Sequence, residues 1–384
     1  MYLENFVEKV LSIPDIDKKI NSTFLERLTV SKKLIEGTSV EDRSSRSPFF
    51  LNDLGVRYTV SPKEFTKWSI KNLNVTLPST SNLENDLTEG NINLLPYIMD
   101  SSALLMGDFE TIFKVVSKRK SEILKYGSYN ALIYSGTVSA SQNSKLAYIF
   151  FSEAINRAHQ DKDINHVITA YHRLIITKLK RFHDLKEAQE LLDKLISKEI
   201  PKSPDKDLYM ALYDNMLGLA IVMEPNDFST ISAKSMLINA THRINEYVAQ
   251  CTNENKKSQA ERYKGQVGIN LVQLELEKNH YNAANRIALS NLEHVKKYSE
   301  GYVAETYSVL AYTQFMLGEY QEALHTSQLA TNAHVEIGNY DGVQASREML
   351  INCYMKLRMK VKAQEEAQLI LDKSFQYEPI ESKN

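Results

Sequence analysis

The sequence predicts an all-α fold: a solenoid of about seven antiparallel helix pairs behind a small N-terminal helical module. Three observations carry that expectation. From Leu94 to Ser374 apolar residues recur at i, i+3, i+4 and i+7, the helical period. Glycine (13) and proline (9) are scarce for 384 residues, which disfavours turn-dense β architecture and suits long helices with short connections. A small residue in similar local text returns about every forty positions, the mark of a repeat. A chain of this length has usually outgrown one compact core, so an elongated array or two domains is expected.

The clearest unit runs from Tyr307 to Ala330. Its Leu317-Gly318-Glu319-Tyr320-Gln321-Glu322-Ala323-Leu324 segment resembles the turn and the second-helix opening of a tetratricopeptide repeat. Gly318 can take the left-handed conformation that closes a helix. In a repeat of this kind Tyr320 packs in the crease between the two helices. Ala323 faces Ala311 where they cross, and a bulkier side chain there costs about 1–3 kcal/mol.

With the crossing residue as a ruler, Ala363 follows Ala323 by 40 positions and Ala284 precedes it by 39. Ala188 and Ala147 lie 41 apart, and Met106-Gly107-Asp108-Phe109 precedes Ile112 in the crossing place. A looser unit holds Leu217-Gly218, a turn at Pro225-Asn226-Asp227, and Ala233. A spacing near forty exceeds the consensus of about 34, so the helices run about a turn longer. Long repeats of this sort resemble those of large-ATPase transcription activators and of peptide-responsive RRNPP-type regulators.

The expected organisation is a helical module over 1–73, a linker over 74–93, the repeat domain over 94–375 and a flexible tail over 376–384. The linker reading rests on the polar, turn-rich text between Asn74 and Asn93.

The resemblance to tetratricopeptide repeats implies an inner wall built from the first helix of each pair, with inward positions about 8, 11, 15 and 18 residues before the crossing alanine. The expected groove residues are Arg173 and Lys180 in the third pair, Asn215 in the fourth, and Gln266 and Gln273 in the fifth. Glu305, Tyr312 and Phe315 follow in the sixth, and Glu348 and Asn352 in the seventh. Ser308, Ile269 and Met355 fall on the same stripe. Amides can donate to and accept from a peptide backbone, an arginine can clamp a carboxylate, and aromatics offer pockets. The opposing reading is that these polar groups simply solvate a helix face. Two basic clusters, Lys114 to Lys125 and Lys178 to Lys186, are either solvated outer faces or a patch for an acidic partner.

Enzyme signatures are absent: no phosphate loop, nucleophile elbow, His-Glu-x-x-His or paired Cys-x-x-Cys occurs, and no cofactor is expected. His159 and His166 are seven apart and could share a helix face, but they lack a third ligand, so no metal is expected either. Cys251 and Cys353 stand alone in helical text and suit reduced thiols. The opening Met1-Tyr2-Leu3-Glu4 is not a secretory signal, and no apolar run reaches the ~18 residues of a membrane span. The expectation is a cytoplasmic, non-catalytic protein that binds a peptide or protein segment; regulatory repeats of this type also admit a homodimer. A formal charge of −2 gives no overall basic field.

The N-terminal module supports a second reading. Ser61 and Glu64 form a capping box and Pro62 takes the favoured first position, so a helix starts there and is expected to run to Leu73. Leu54-Gly55-Val56 before a helix bearing Lys63, Lys67 and Lys71 resembles a helix-turn-helix, with residues 30–73 on DNA. Eight basic and five acidic residues between Lys32 and Lys71 give a net +3, modest for a DNA reader. The other reading is a helical cap that shields the first repeat, with Trp68 in its core.

Overall fold

A computed structural model describes residues 1–36, 62–222, 227–337 and 339–372. Among these residues every regular element is helical. The N-terminal elements are α1 (Tyr2–Leu11), α2 (Ser22–Ile35), α3 (Pro62–Ser69) and α4 (Thr80–Glu89). Next come α5 (Leu95–Leu105), α6 (Phe109–Lys118), α7 (Lys120–Tyr126), α8 (Tyr129–Ser141), α9 (Leu146–Gln160), α10 (Ile164–Phe182) and α11 (Leu185–Lys194). The chain continues with α12 (Lys206–Val222), α13 (Asp227–Gln250), α14 (Glu254–Glu277), α15 (Tyr281–Tyr298), α16 (Val303–Leu317), α17 (Tyr320–Glu336), α18 (Tyr340–Lys356) and α19 (Lys360–Asp372). Paired as α5/α6, α8/α9 and so on to α18/α19, they make the seven hairpins that the spacing predicts.

The crossing residues are where the ruler puts them. Ile112, Ala147, Ala188, Ala233, Ala284 and Ala323 are fully buried, and Ala363 nearly so. Gly318 closes α16 at φ 82°, as expected. The same left-handed step recurs at Gly107, Asn143, His183, Asn279 and Arg358, each between the two helices of a pair. An acidic or amide residue often restarts the chain: Asp108 accepts from the Thr111 N–H, and Asp184 from the Glu187 N–H. Arg358 holds φ 62° without glycine's freedom, a conformation costing roughly 1–2 kcal/mol. Arg358→Gly should therefore stabilise the last pair by about 1 kcal/mol, read from urea melts.

By their contacts the described residues divide into two units: 1–36 with 69–249, and 62–68 with 250–372. In the first unit, α1 packs against α2 and α4, α2 packs onto α5, and α4 packs onto α5 and α6. The stretch expected to be a linker thus contains a helix. Its text is polar because only Leu83 and Leu87, one turn apart, face the core. Ser79 and Asn82 cap its start, and the buried Asp86 carboxylate accepts the Tyr2 and Leu3 N–H groups at 2.9 and 2.8 Å. That carboxylate sits on the N-terminus of α1, where helix dipole and unpaired N–H groups favour it.

The second unit is a continuous stack of α14 to α19. Its best-defined core gathers Ile269, Val272, Ala284, Ala288, Leu292, Val295, Tyr302 and Leu310. Two glycines set the helix spacing. A Cβ on Gly268 would run into the Asn291 carboxamide of α15, and one on Gly342 into the His334 ring of α17.

Candidate peptide-binding face

The first helices of the last three pairs, α14, α16 and α18, lie side by side. Their partners α15, α17 and α19 cover one flank of each. The opposite flank stays open along the predicted stripe. Gln273, Tyr312, Glu348, Asn352 and Met355 are exposed, and Gln266, Glu305, Ser308 and Phe315 are half-buried. All seven groove residues expected in this unit therefore reach its surface. Ile269 does not. It stands three residues past Gln266, turned about 60° from it, and joins the core.

Several of these side chains are held in place. The Ser308 hydroxyl donates to the Ala304 carbonyl at 3.1 Å, so the His334 Nε2 at 3.0 Å acts as donor to its oxygen. Phe315 meets Tyr320 edge-on at 5.4 Å, which confirms the crease position for Tyr320. The Gln344 amide donates to Glu348, and the Gln266 amide to Asn270. Met316, four residues past Tyr312, is 37% exposed on the same flank and was not singled out from the sequence. The i, i+4 spacing from Tyr312 is the signal that finds it.

The first unit behaves differently. Lys180 is exposed, but Arg173 and Asn215 are buried. The open stripe of α10 runs Thr169, Arg173, Ile176 and Lys180, and even here Arg173 is only 8% exposed. Both α5 and α8 are buried almost all round, so inward residues in this unit are enclosed rather than presented. Arg173 and Asn215 are accordingly structural in position. Beside Arg173 the fully enclosed His172 imidazole is held down to a pKa of about 3, by burial first and then by the Arg173 and Lys180 charges.

His172 has a pH consequence. Its folded pKa lies below the ordinary ~6.5, so the unfolded chain binds the extra proton. The site's contribution is complete above pH ~6.5 and is lost on acidification at up to about 1.4 kcal/mol per pH unit. Between pH ~7 and ~5.5 the chain should lose about 1 kcal/mol more stability than His172→Gln, measured by urea unfolding.

Other expectations resolve locally. His159 ends α9 while His166 opens α10, separated by a turn with Lys162 at φ 58°, so the two do not share a helix face. His166 stacks on Tyr129 at 4.0 Å and pairs with Asp163, whereas His159 faces Glu199. Among the described residues no cluster of three His, Cys, Asp or Glu could hold a metal, and no helix is long and apolar enough to cross a membrane. Each basic cluster contains a structural cation. Arg119 donates to the Leu87 and Gly90 carbonyls and grips Glu122. Lys178 is buried over the Tyr148 ring at 3.6 Å and paired with Glu187 and Asp184.

For the DNA reading, α3 ends at Ser69, so Lys71 lies beyond the helix and only Lys63 and Lys67 are on it. Ser61 and Leu54 to Val56 lie outside the described residues. Trp68 is half-buried and stacks on the enclosed Phe65 at 6.0 Å. An open cleft of about 450 Å³ between α7 and α9, floored by Leu124, Tyr148 and Ile149, was also not foreseen.

One family model agrees with this geometry. Residues 303–334 match the tetratricopeptide repeat family. They are the α16/α17 pair, and the neighbouring pairs repeat its crossing and its turn, so the chain has a tetratricopeptide-type fold. Similar solved structures include the apo form of the quorum sensor NprR from B. thuringiensis: 14% identity, TM-score 0.47, covering 80% of this chain and 85% of that one. Another is a signal transduction ATPase with numerous domains (STAND) that carries a tetratricopeptide repeat sensor, from Pyrococcus horikoshii. It shows 16% identity, TM-score 0.45 and coverage of 76% of this chain, which spans 45% of that protein's length. No curated protein sequence matches the chain.

Proposed function

We propose that this protein is a non-catalytic regulatory protein that binds an extended peptide or protein segment on the open flank of α14, α16 and α18. The observation that carries the reading is the row of unburied side chains on three adjacent helices, Gln273, Tyr312 and Asn352, at one level of the repeat. A folded chain exposes amides and a tyrosine in line at little cost, and the same groups satisfy a peptide's N–H and C=O. Tyrosine adds a large contact area for two rotatable bonds. A regulatory role in the cytoplasm fits a scaffold that presents such a recognition surface.

The test uses a peptide selected from a random library on the full chain. Asn352→Ala should weaken that peptide about tenfold, the loss of one or two hydrogen bonds at about 1 kcal/mol each, and leave the melting temperature unchanged. Arg173→Ala should do the reverse, lowering stability with no effect on the peptide. Equal loss of stability in both variants would mean that Asn352 is structural and the reading is wrong. The alternative, an RRNPP-type transcription regulator with residues 30–73 on DNA, has two helix-borne lysines in its support. It requires duplex DNA binding that falls with salt and is lost in Lys63→Ala/Lys67→Ala; the reading preferred here predicts none.

A further inference from the structure

The cleft between α7 and α9, in the first unit, joins exposed apolar surface to positive charge. Its walls are Leu124 of α7 and Tyr148, Ile149, Ser152, Glu153 and Asn156 of α9. The core stripe of α9 runs through Ala147, Phe150, Phe151, Ala154 and Ile155. Ile149 lies off that stripe and is 41% exposed, and Tyr126, two residues past Leu124, is 58% exposed. The core does not account for either. The Tyr148 ring is fixed, with the Lys178 ammonium 3.6 Å from its centroid and the Phe182 ring edge-on at 5.1 Å. A fixed aromatic loses little freedom when a partner packs on it.

The carboxylates around the cleft are answered within the chain. Arg119 grips Glu122, and Arg157 pairs with Glu153 at 3.3 Å. Asp184 and Glu187 are bound to Lys178. Helices α8 and α10, which both pack on α9, contain no aspartate or glutamate. Helix α6, packed on α7, adds Glu110 and Lys118, and its Lys114 pairs with Glu84, so its charges balance. Among the described residues, Lys120, Lys125 and Lys145 make no ion pair, although the Lys125 ammonium lies over the Tyr126 ring. Lys120 stands one turn before Leu124, and Lys145 one turn before Ile149, so each shares a helix face with the cleft wall.

We infer that this cleft docks an acidic segment of a partner protein. The segment lays a bulky apolar side chain on Tyr148 and Ile149 and sets carboxylates against Lys145 and the α7 lysines. Lys145 to Asn156 spans roughly 16 Å of helix, which an extended segment covers in about five residues. The apolar anchor therefore has acidic neighbours within about three positions. Ser152 and Asn156 lie along the same face and can bond to the segment's backbone. A basic segment would meet three lysines and only carboxylates that are already engaged. Nothing in this assignment depends on the open flank of α14, α16 and α18.

The probe is a random dodecapeptide library, panned on the full chain carrying Asn352→Ala to weaken that flank. The affinity of one enriched peptide is then measured for this chain and for versions that add Lys145→Glu or Ile149→Asp. The expected enrichment is a bulky apolar residue with aspartate or glutamate within three positions. Each added change should weaken the peptide about tenfold, and salt should erode the Lys145 effect more than the Ile149 effect. Lys145 is exposed, so Lys145→Glu should leave the melting temperature unchanged. If Ile149→Asp lowers it, Ile149→Ser takes its place. Enrichment of basic or uncharged sequences, or of peptides indifferent to both changes, would overturn the inference. Those results would leave the reading of the α14–α18 flank standing, since its own test is Asn352→Ala in the otherwise unaltered chain.

Discussion

Arg347→Ala should destabilise the α18/α19 pair by about 3 kcal/mol, because it strands the Glu366 carboxylate in a site built for an ion pair. The Arg347 side chain is 5% exposed and the Glu366 side chain 13%, so neither is screened as a surface pair would be. The loss should be local. Repeat proteins gain stability from each unit and its neighbours, so a defect in the last pair opens that pair first. Hydrogen exchange should show lost protection in α18 and α19 and unchanged protection in α8 to α10. A second change, Glu366→Leu, removes the orphaned charge and should recover much of the loss, since an apolar pair in such a place is often neutral. If Arg347→Ala costs no more than a surface substitution, the pair is not the clamp that the geometry implies.

Gly268→Ala carries the second large effect, and its sign is informative. In an open helix the change would stabilise by up to about 1 kcal/mol, because alanine is the better helix former. Here the new methyl meets the Asn291 carboxamide, which is buried and donates to the Gly265 carbonyl at 3.1 Å. Either α14 and α15 move apart or Asn291 turns away and leaves that carbonyl unpaired. Overpacking costs about 1–3 kcal/mol and a lost buried hydrogen bond about 1 kcal/mol more. The net expectation is a loss of about 2 kcal/mol, visible as a lower urea midpoint. A rise in the midpoint would show that the helices are not held at the spacing described.

Much of this architecture is legible in the sequence because it depends on local geometry. A small residue is needed wherever two helices cross closely, so Ala284, Ala323 and Ala363 announce their own pairs. The left-handed turn is written plainly only where glycine supplies it, at Gly107 and Gly318. Asn143, His183, Asn279 and Arg358 do the same job without a comparable signal. Helix α4 looks like a linker in the sequence because its apolar content is just Leu83 and Leu87, and its anchor is a long-range contact from Asp86 to the start of α1.

The open flank was legible to the same depth. The register finds the stripe on α16 and α18, where each helix has one covered and one open flank. It fails at Ile269, Arg173 and Asn215, because how far a neighbour closes over a helix depends on helix length and on packing from distant segments. Sequence spacing fixes which residues share a flank; it does not fix whether that flank is open.

The most direct measurement is hydrogen exchange, on the full chain, with and without a library-selected peptide at saturation. Protection is predicted along α16 and α18 around Tyr312 and Asn352, and in the adjoining turn of α14 around Gln273. Protection confined to α5 through α11, with α14, α16 and α18 unchanged, would contradict the account.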